Sequence, residues 1–378
     1  MGTRYHIRFQ LPAPSFDAVA LQVAVDARLE TLNASLSTYR SDSLITAFNE
    51  AVPGQVMPVD EDFQNMVRLS RQVHLASGGA FDPTVGGLVN LWGFGWPKPE
   101  QPLTRLPEPA AIEAAKARFD AVEQPAPGQI VKRAPLRLDF SAIAKGYGVD
   151  QIAQVVRAQG IEHYMVEIGG EVATRGRGPA GGPWRIGIEE PDPARAVRIL
   201  VRLKLSEAAL ATSGNYRNFF ELDGRRYSHV IDPVSGYPVA QPPTSVSVLA
   251  PNVALADAWA TAFMVLDEAR GLALAEANQL AAYWVYEDNG VRRTLQSSHM
   301  QPHLDAAPAQ AARPDSKTIM EMLLALVLFL VFFAAMALGV MFKRKPLKGS
   351  CGGAAALMGE KSCSFCGGDA STCERKAE

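Results

Sequence analysis

The chain has 378 residues, 48% of them hydrophobic, and a formal charge of −2. It is long enough to bury a large core, and its balanced charge gives no reason to expect nucleic acid as a partner. No internal repeat is evident, and every cysteine lies beyond residue 350.

Apolar periodicity predicts helices over residues 15 to 34 and 60 to 77. Next comes Gly79-Ala80-Phe81-Asp82-Pro83-Thr84-Val85-Gly86-Gly87-Leu88, followed by Leu91-Trp92-Gly93-Phe94-Gly95. Its glycines allow close backbone approach to a ligand and its rings offer stacking surface. Residues 136 to 140 alternate as a short strand that turns into an amphipathic helix through Ile152, Val155 and Val156. Lys145 sits near the start of that helix, where unpaired N–H groups and the dipole favour an anion. Further strands are predicted around 163 to 168, 184 to 188, 198 to 205 and 245 to 250, with a helix from about 254 to 266. Val166-Glu167-Ile168-Gly169-Gly170-Glu171 closes one strand in a glycine pair, and Ala211-Thr212-Ser213-Gly214-Asn215-Tyr216 reads as a polar ligand loop. Hairpin-like and helical pieces are interspersed without regular alternation, which argues for an α+β body rather than a doubly wound parallel sheet.

The run Arg226-Tyr227-Ser228-His229-Val230-Ile231-Asp232-Pro233, with Gly236-Tyr237-Pro238 behind it, concentrates acid–base chemistry in a Pro/Gly-punctuated turn. His229 is a candidate base there, and Asp232 either orients it or caps the turn. In Ala256-Asp257-Ala258-Trp259-Ala260-Thr261, a carboxylate and a hydroxyl stand at i and i+4, one helical turn apart on the same face. Two hard oxygen ligands in that arrangement suit magnesium.

Taken in order, Met1-Gly2-Thr3, Leu36-Ser37-Thr38-Tyr39, Gly79 to Thr84, Ala144-Lys145-Gly146-Tyr147, Glu167 to Glu171, Thr212 to Tyr216, Ser228 to Pro233 and Ala256 to Thr261 resemble the ApbE family of FAD:protein FMN transferases over about residues 1–297. The resemblance implies transfer of FMN from FAD to a threonine or serine hydroxyl of a target protein, with AMP released and Mg2+ required. It implies that Asp257, Thr261 and the main-chain carbonyl of Ala142 bind the magnesium ion. Met1, Tyr39, Ala80, Phe81, Asp82, Asp139, Lys145 and Ile231 match positions that line the FAD site, and His229 matches the base. The same residues would also serve a magnesium-dependent FAD pyrophosphatase, with water as the nucleophile. From another class, a membrane module that holds FAD without turnover is the competing reading.

Residues 298–318 form an Ala-, Pro- and Gln-rich stretch that reads as a flexible linker. From Ile319 to Phe342 the chain is almost continuously apolar, broken only by Glu321, a length that spans a bilayer as one helix. Lys343, Arg344, Lys345 and Lys348 follow the span, against Arg313 and Lys317 before it. The positive-inside rule then puts the tail in the cytoplasm and the large domain in a periplasm-like space, anchored to the cytoplasmic membrane. An exported domain needs a signal, which Met1-Gly2-Thr3-Arg4-Tyr5 lacks, so the sequence is expected to start inside the family pattern with a signal or lipoprotein segment lost upstream. In the tail (343–378), Cys351, Cys363, Cys366 and Cys373 have the spacing C-x11-C-x2-C-x6-C, suited to iron or zinc thiolate coordination on a reducing side. The segment from Met320 to Cys373 resembles the NqrM-type maturation factors of the sodium-pumping NADH:quinone reductase. That likeness implies iron supply to the reductase during assembly, and the two likenesses together lead to the expectation that the reductase's subunits are the acceptors of the flavin.

Overall fold

The structure is a computed structural model, and it describes residues 2–101, 103–191, 198–216, 218–288 and 290–305. Residues 1–306 cluster as one unit, apart from 307–378.

In chain order the N-terminal part contains β1 (Tyr5–Phe9), α1 (Ala18–Leu36), α2 (Leu44–Glu50), β2 (Met57–Pro58), α3 (Glu61–Ala76), α4 (Gly86–Leu91), α5 (Pro109–Ala115), β3 (Val122–Glu123) and β4 (Gln129–Lys132). The chain continues through α6 (Ala144–Ala158), β5 (Tyr164–Ile168), β6 (Glu171–Arg175), β7 (Trp184–Glu189), β8 (Ile199–Leu205), β9 (Ala208–Gly214), β10 (Phe219–Leu222) and β11 (Arg225–Ser228). It closes with β12 (Ser245–Ala250), α7 (Val253–Val265), α8 (Glu268–Ala277), β13 (Ala281–Asp288) and β14 (Val291–Gln296).

A seven-stranded sheet runs in the order β1-β5-β6-β9-β12-β13-β14, with every neighbouring pair antiparallel. Side chains alternate between its faces, as a strand's period of two demands. Val246, Val248, Ala282 and Trp284 join a core with α3 and α7. Leu249, Ala281, Tyr283 and Val285 pack instead with Leu203 and Leu205 of the β7–β8 ribbon. A further core joins α1 and α6 to β5 through Val25, Ile152, Val156, Val166 and Ile168. The α+β reading therefore holds, with helices gathered on one face of an antiparallel sheet.

The helix starts are set by side chains that satisfy otherwise orphaned N–H groups. Asp60 accepts from Phe63 N at 2.8 Å to begin α3. The start of α7 is capped twice: Asn252 accepts from Leu255 N at 2.9 Å, and Asp150 on α6 accepts from Val253 N and Ala254 N at 2.9 Å each. Burial raises the Asp150 carboxyl to about 6 against the lowering effect of those two bonds. The α7 helix is buried around nearly its whole circumference, so any polar side chain on it must find a partner inside the protein.

Two expectations are corrected. Residues 136–140 form no strand beyond an isolated bridge between Arg137 and Val85. Their backbone is held by a side chain instead: Asn49 donates to Leu138 O at 2.9 Å and accepts from Leu138 N at 2.7 Å. The expected linker also begins too early. Residues 298–305 pack on the sheet, with Met300 fully buried, Leu304 bridging to Leu203 and Asp305 paired with Lys204 at 2.7 Å.

Among the described residues no helix is long and apolar enough to cross a membrane. The expected span 319–342 and Cys351, Cys363, Cys366 and Cys373 lie outside the described residues, as does Met1.

Candidate active site

A cavity of about 420 Å3 opens between the N-terminus of α6, the middle of α7 and the loops around Phe81 and His229. That size suits a small-molecule site. Its floor is charged. Lys145, the second residue of α6, places Nζ 2.5 Å from Glu171 Oε1 and 3.6 Å from Asp257 Oδ1. Asp257 is 2% exposed and Glu171 1% exposed, so two buried acids share one ammonium in a nearly dry setting. Asp257 Oδ2 accepts from Gly146 N at 3.0 Å.

This contact requires Gly146. A Cβ there would stand 2.3 Å from Val253 O, so only a glycine lets α6 come close enough to α7 to hand its N–H to Asp257. One turn along α7, Thr261 Oγ1 lies 3.2 Å from Ser213 Oγ on β9. The charges shape one another. Burial, then the Asp257 charge, raises Glu171 to about 8 against the pull of Lys145. For Lys145, burial acts to lower the pKa, but Asp257 and Glu171 together outweigh it and hold the ammonium protonated well above its ordinary range.

The opposite wall is built from loops and the β10–β11 hairpin. His229 is partly buried, and its Nδ1 donates to Asn218 O at 3.1 Å, a carbonyl that can only accept. Phe94 meets the imidazole edge-on with ring centroids 6.3 Å apart, and behind it Phe220, Tyr227 and Trp92 form a continuous aromatic stack. Burial pulls the His229 pKa below 6.5, against the raising effect of the Asn218 bond and with a smaller lowering contribution from Lys98. The imidazole is neutral at neutral pH.

The cavity brings together His229, Tyr39, Ala80, Phe81, Asp82, Asp139, Ala142, Lys145, Ile231, Asp257 and Thr261. Asp232 is not among them. Its carboxylate accepts from Val234 N at 3.0 Å and Ser235 N at 3.2 Å, so of its two expected roles it performs the turn cap, and Asn218 holds the histidine. Trp92 offers no stacking surface to a ligand: it is fully buried, and its indole N–H donates to Gly236 O at 2.9 Å. The stretch expected as a polar loop from Ala211 is strand β9 as far as Gly214, and Thr212 pairs with Ser247 across the strands at 2.8 Å. Asp82 is buried, which raises its carboxyl, and its Oδ1 accepts from Thr84 N and Thr84 Oγ1 at 2.8 and 2.7 Å.

Residue-type reasoning assigned no role to Glu171 and missed Asn218, while Ser213 falls in the stretch read as a polar ligand loop. Glu171 directly follows the Gly169–Gly170 pair, and its acidity next to that turn was the available signal. Asn218 acts through its main chain, which no side-chain pattern announces.

The charge balance also bears on a cation. Among the described residues no group of three or more His, Cys, Asp or Glu side chains forms a metal cluster. The available donors are therefore mixed: a carboxylate, a hydroxyl and a main-chain carbonyl. The buried Asp257 side chain and an unpartnered Glu171 Oε2 fit an added hard cation.

The ApbE family model matches residues 1–284, and the model described as (Na+)-NQR maturation NqrM matches residues 340–378. An FAD:protein FMN transferase from Vibrio cholerae is 39% identical over 307 residues, covering 80% of this chain and 90% of the relative. One from Klebsiella pneumoniae is 38% identical over 311 residues, covering 80% and 87%. Among solved structures, the flavin transferase ApbE from Vibrio cholerae superposes with a TM-score of 0.72 at 38% identity, covering 80% of this chain and 96% of that one. The apo flavinyl transferase ApbE from Pseudomonas stutzeri gives 0.72 at 37% identity, covering 80% and 94%. Fold and sequence agree on one class of enzyme, the flavin transferases. The chain belongs to the ApbE family.

Proposed function

We propose that the chain transfers the FMN moiety of FAD to a threonine or serine hydroxyl of a target protein, with release of AMP. The observation that carries this reading is the convergence, on a single cavity, of a neutral histidine with a buried acid, a hydroxyl and a lysine that lie far apart in sequence. Asp257, Thr261 and the Ala142 carbonyl would hold a magnesium ion. When bound, that ion would supply Lewis-acid stabilisation of charge on the diphosphate.

The chain's own residues account for the rest. Because His229 Nδ1 is committed to Asn218, Nε2 is the nitrogen that takes the acceptor hydroxyl's proton. The hydroxyl oxygen bonds to the FMN phosphorus as the P–O bond to AMP breaks. Lys145, kept protonated by its two acids, offsets negative charge on the diphosphate and on departing AMP. Tyr39, Ala80, Phe81, Asp82, Asp139 and Ile231 would form the flavin dinucleotide's surroundings.

The acceptors we propose are subunits of a sodium-pumping NADH:quinone reductase, a reading supported by the NqrM match at 340–378. In the same proposal Ile319 to Phe342 anchors the enzyme to the cytoplasmic membrane, with the transferase domain on the periplasm-like side. The cysteine tail would serve the reductase's iron. Tethering raises the local concentration of a membrane-embedded acceptor.

Purified full-length chain, FAD, Mg2+ and a candidate subunit should give an FMN-sized mass increase on one threonine or serine. Release of free FMN with no adduct would replace the transferase reading with a pyrophosphatase. FAD retained without AMP release would leave a binding module. A deletion strain whose reductase is fully flavinylated and iron-replete would overturn the proposed targets.

A further inference from the structure

The floor of the cavity contains an acid to which the proposed mechanism gives no part beyond its pairing with Lys145. Glu171 opens β6 immediately after the turn at Gly169 and Gly170, whose positive φ angles of 61° and 102° bring the chain back on itself. That turn drives the carboxylate into the protein beside Lys145, where it lines the same cavity as Asp257 and Thr261. Oε1 is held by the Lys145 ammonium at 2.5 Å. Oε2 is buried with no hydrogen-bond partner.

A buried carboxyl oxygen without a partner is costly. Lys145 supplies a single positive charge to Glu171 and Asp257 together. A second cation at this floor would partner the orphaned oxygen. We propose that Glu171 is a further protein ligand of the divalent cation, bound directly or through one water molecule, with Lys145 holding its other oxygen. This rests on the cation reading of Asp257 and Thr261 given above. Its consequence is that one carboxylate links Lys145 to the ion, so that the two positive groups facing the diphosphate are held in register.

The test is cation binding by the full-length chain without FAD, using Mn2+ as a paramagnetic stand-in for Mg2+ and counting free ion by electron paramagnetic resonance. Asp257→Asn is the reference. Wild type should bind one ion, and both Asp257→Asn and Glu171→Gln should weaken binding by about tenfold or more, since even outer partners of a metal site carry about 10- to 100-fold. Circular dichroism establishes that each variant is folded. Should Glu171→Gln fail to fold, Glu171→Asp, which shortens the reach by one methylene, is expected to weaken Mn2+ binding severalfold. Wild-type affinity in Glu171→Gln or Glu171→Asp, with binding lost in Asp257→Asn, would overturn the role of Glu171 and leave the cation site standing. Wild-type affinity in Asp257→Asn would overturn the cation site itself, and this inference with it.

Discussion

The floor of the cavity and its histidine wall do complementary chemistry with opposite construction. On the floor, Lys145, Asp257 and Thr261 project from two helices, and Ser213 and Glu171 from the sheet beneath. Lys145, Glu171 and Asp257 are tied to one another in the buried interior. The wall is loop and hairpin, with His229 held by one main-chain carbonyl and supported by stacked rings. Charges that must stay at fixed spacing in low dielectric need regular secondary structure, because misplacement there is expensive. The proposed base, which would meet an incoming protein hydroxyl, sits on a more accessible segment, where loops usually carry function.

Breaking the floor should therefore cost most. Asp257→Asn is expected to lower flavin transfer by about 10^3-fold or more, since it would remove both the proposed cation ligand and the group that pairs with Lys145. A steady-state assay of covalent flavin over a range of Mg2+ concentrations checks this, and near-normal turnover would place the cation elsewhere.

On the wall, His229→Ala should lower transfer by about 10^2- to 10^4-fold, the usual range for a lost general base, while FAD still binds. Flavin fluorescence titration together with single-turnover transfer separates the two effects. Because burial lowers the His229 pKa, the neutral imidazole persists to more acidic pH than for an ordinary histidine. The acid limb of kcat/KM should then lie below pH 6.5, with activity kept at neutral pH and lost as pH falls through the lowered pKa. An acid limb above 6.5 would contradict the desolvated setting of the base.

Gly146→Ala separates architecture from chemistry. Its added Cβ would collide with Val253 O at 2.3 Å, so α6 and α7 must part, costing about 1–3 kcal/mol as for an overpacked core. Denaturant melts read that loss, and transfer should fall with it as the Gly146 to Asp257 hydrogen bond lengthens. The smallest effect is expected at Asp232. Asn caps turns about as well as Asp, so Asp232→Asn should change transfer by less than about threefold; a loss as deep as that of His229→Ala would make Asp232 the orienting acid after all.

Local pattern made several elements legible. The helix expected from 254 to 266 is found at Val253–Val265, and the strands near 163 to 168, 198 to 205 and 245 to 250 lie within a residue or so of β5, β8 and β12. These segments carry their own periodicity and caps. The strand expected at 136 to 140 failed because Asn49, 89 residues away, takes both polar groups of Leu138 that a neighbouring strand would have used. Alternation shows that a segment is extended; it cannot show which group will pair with it.

The residue types, their order and the i, i+4 pairing of Asp257 with Thr261 were in the sequence itself, because helical geometry is local and fixes which side chains share a face. Only the tertiary structure decided that Glu171 joins Lys145 and Asp257, that Asn218 rather than Asp232 holds His229, and that floor and wall enclose one cavity. Those contacts join segments tens of residues apart or pass through the main chain, and desolvation, which sets the charge state of each group, exists only once the core has closed around them.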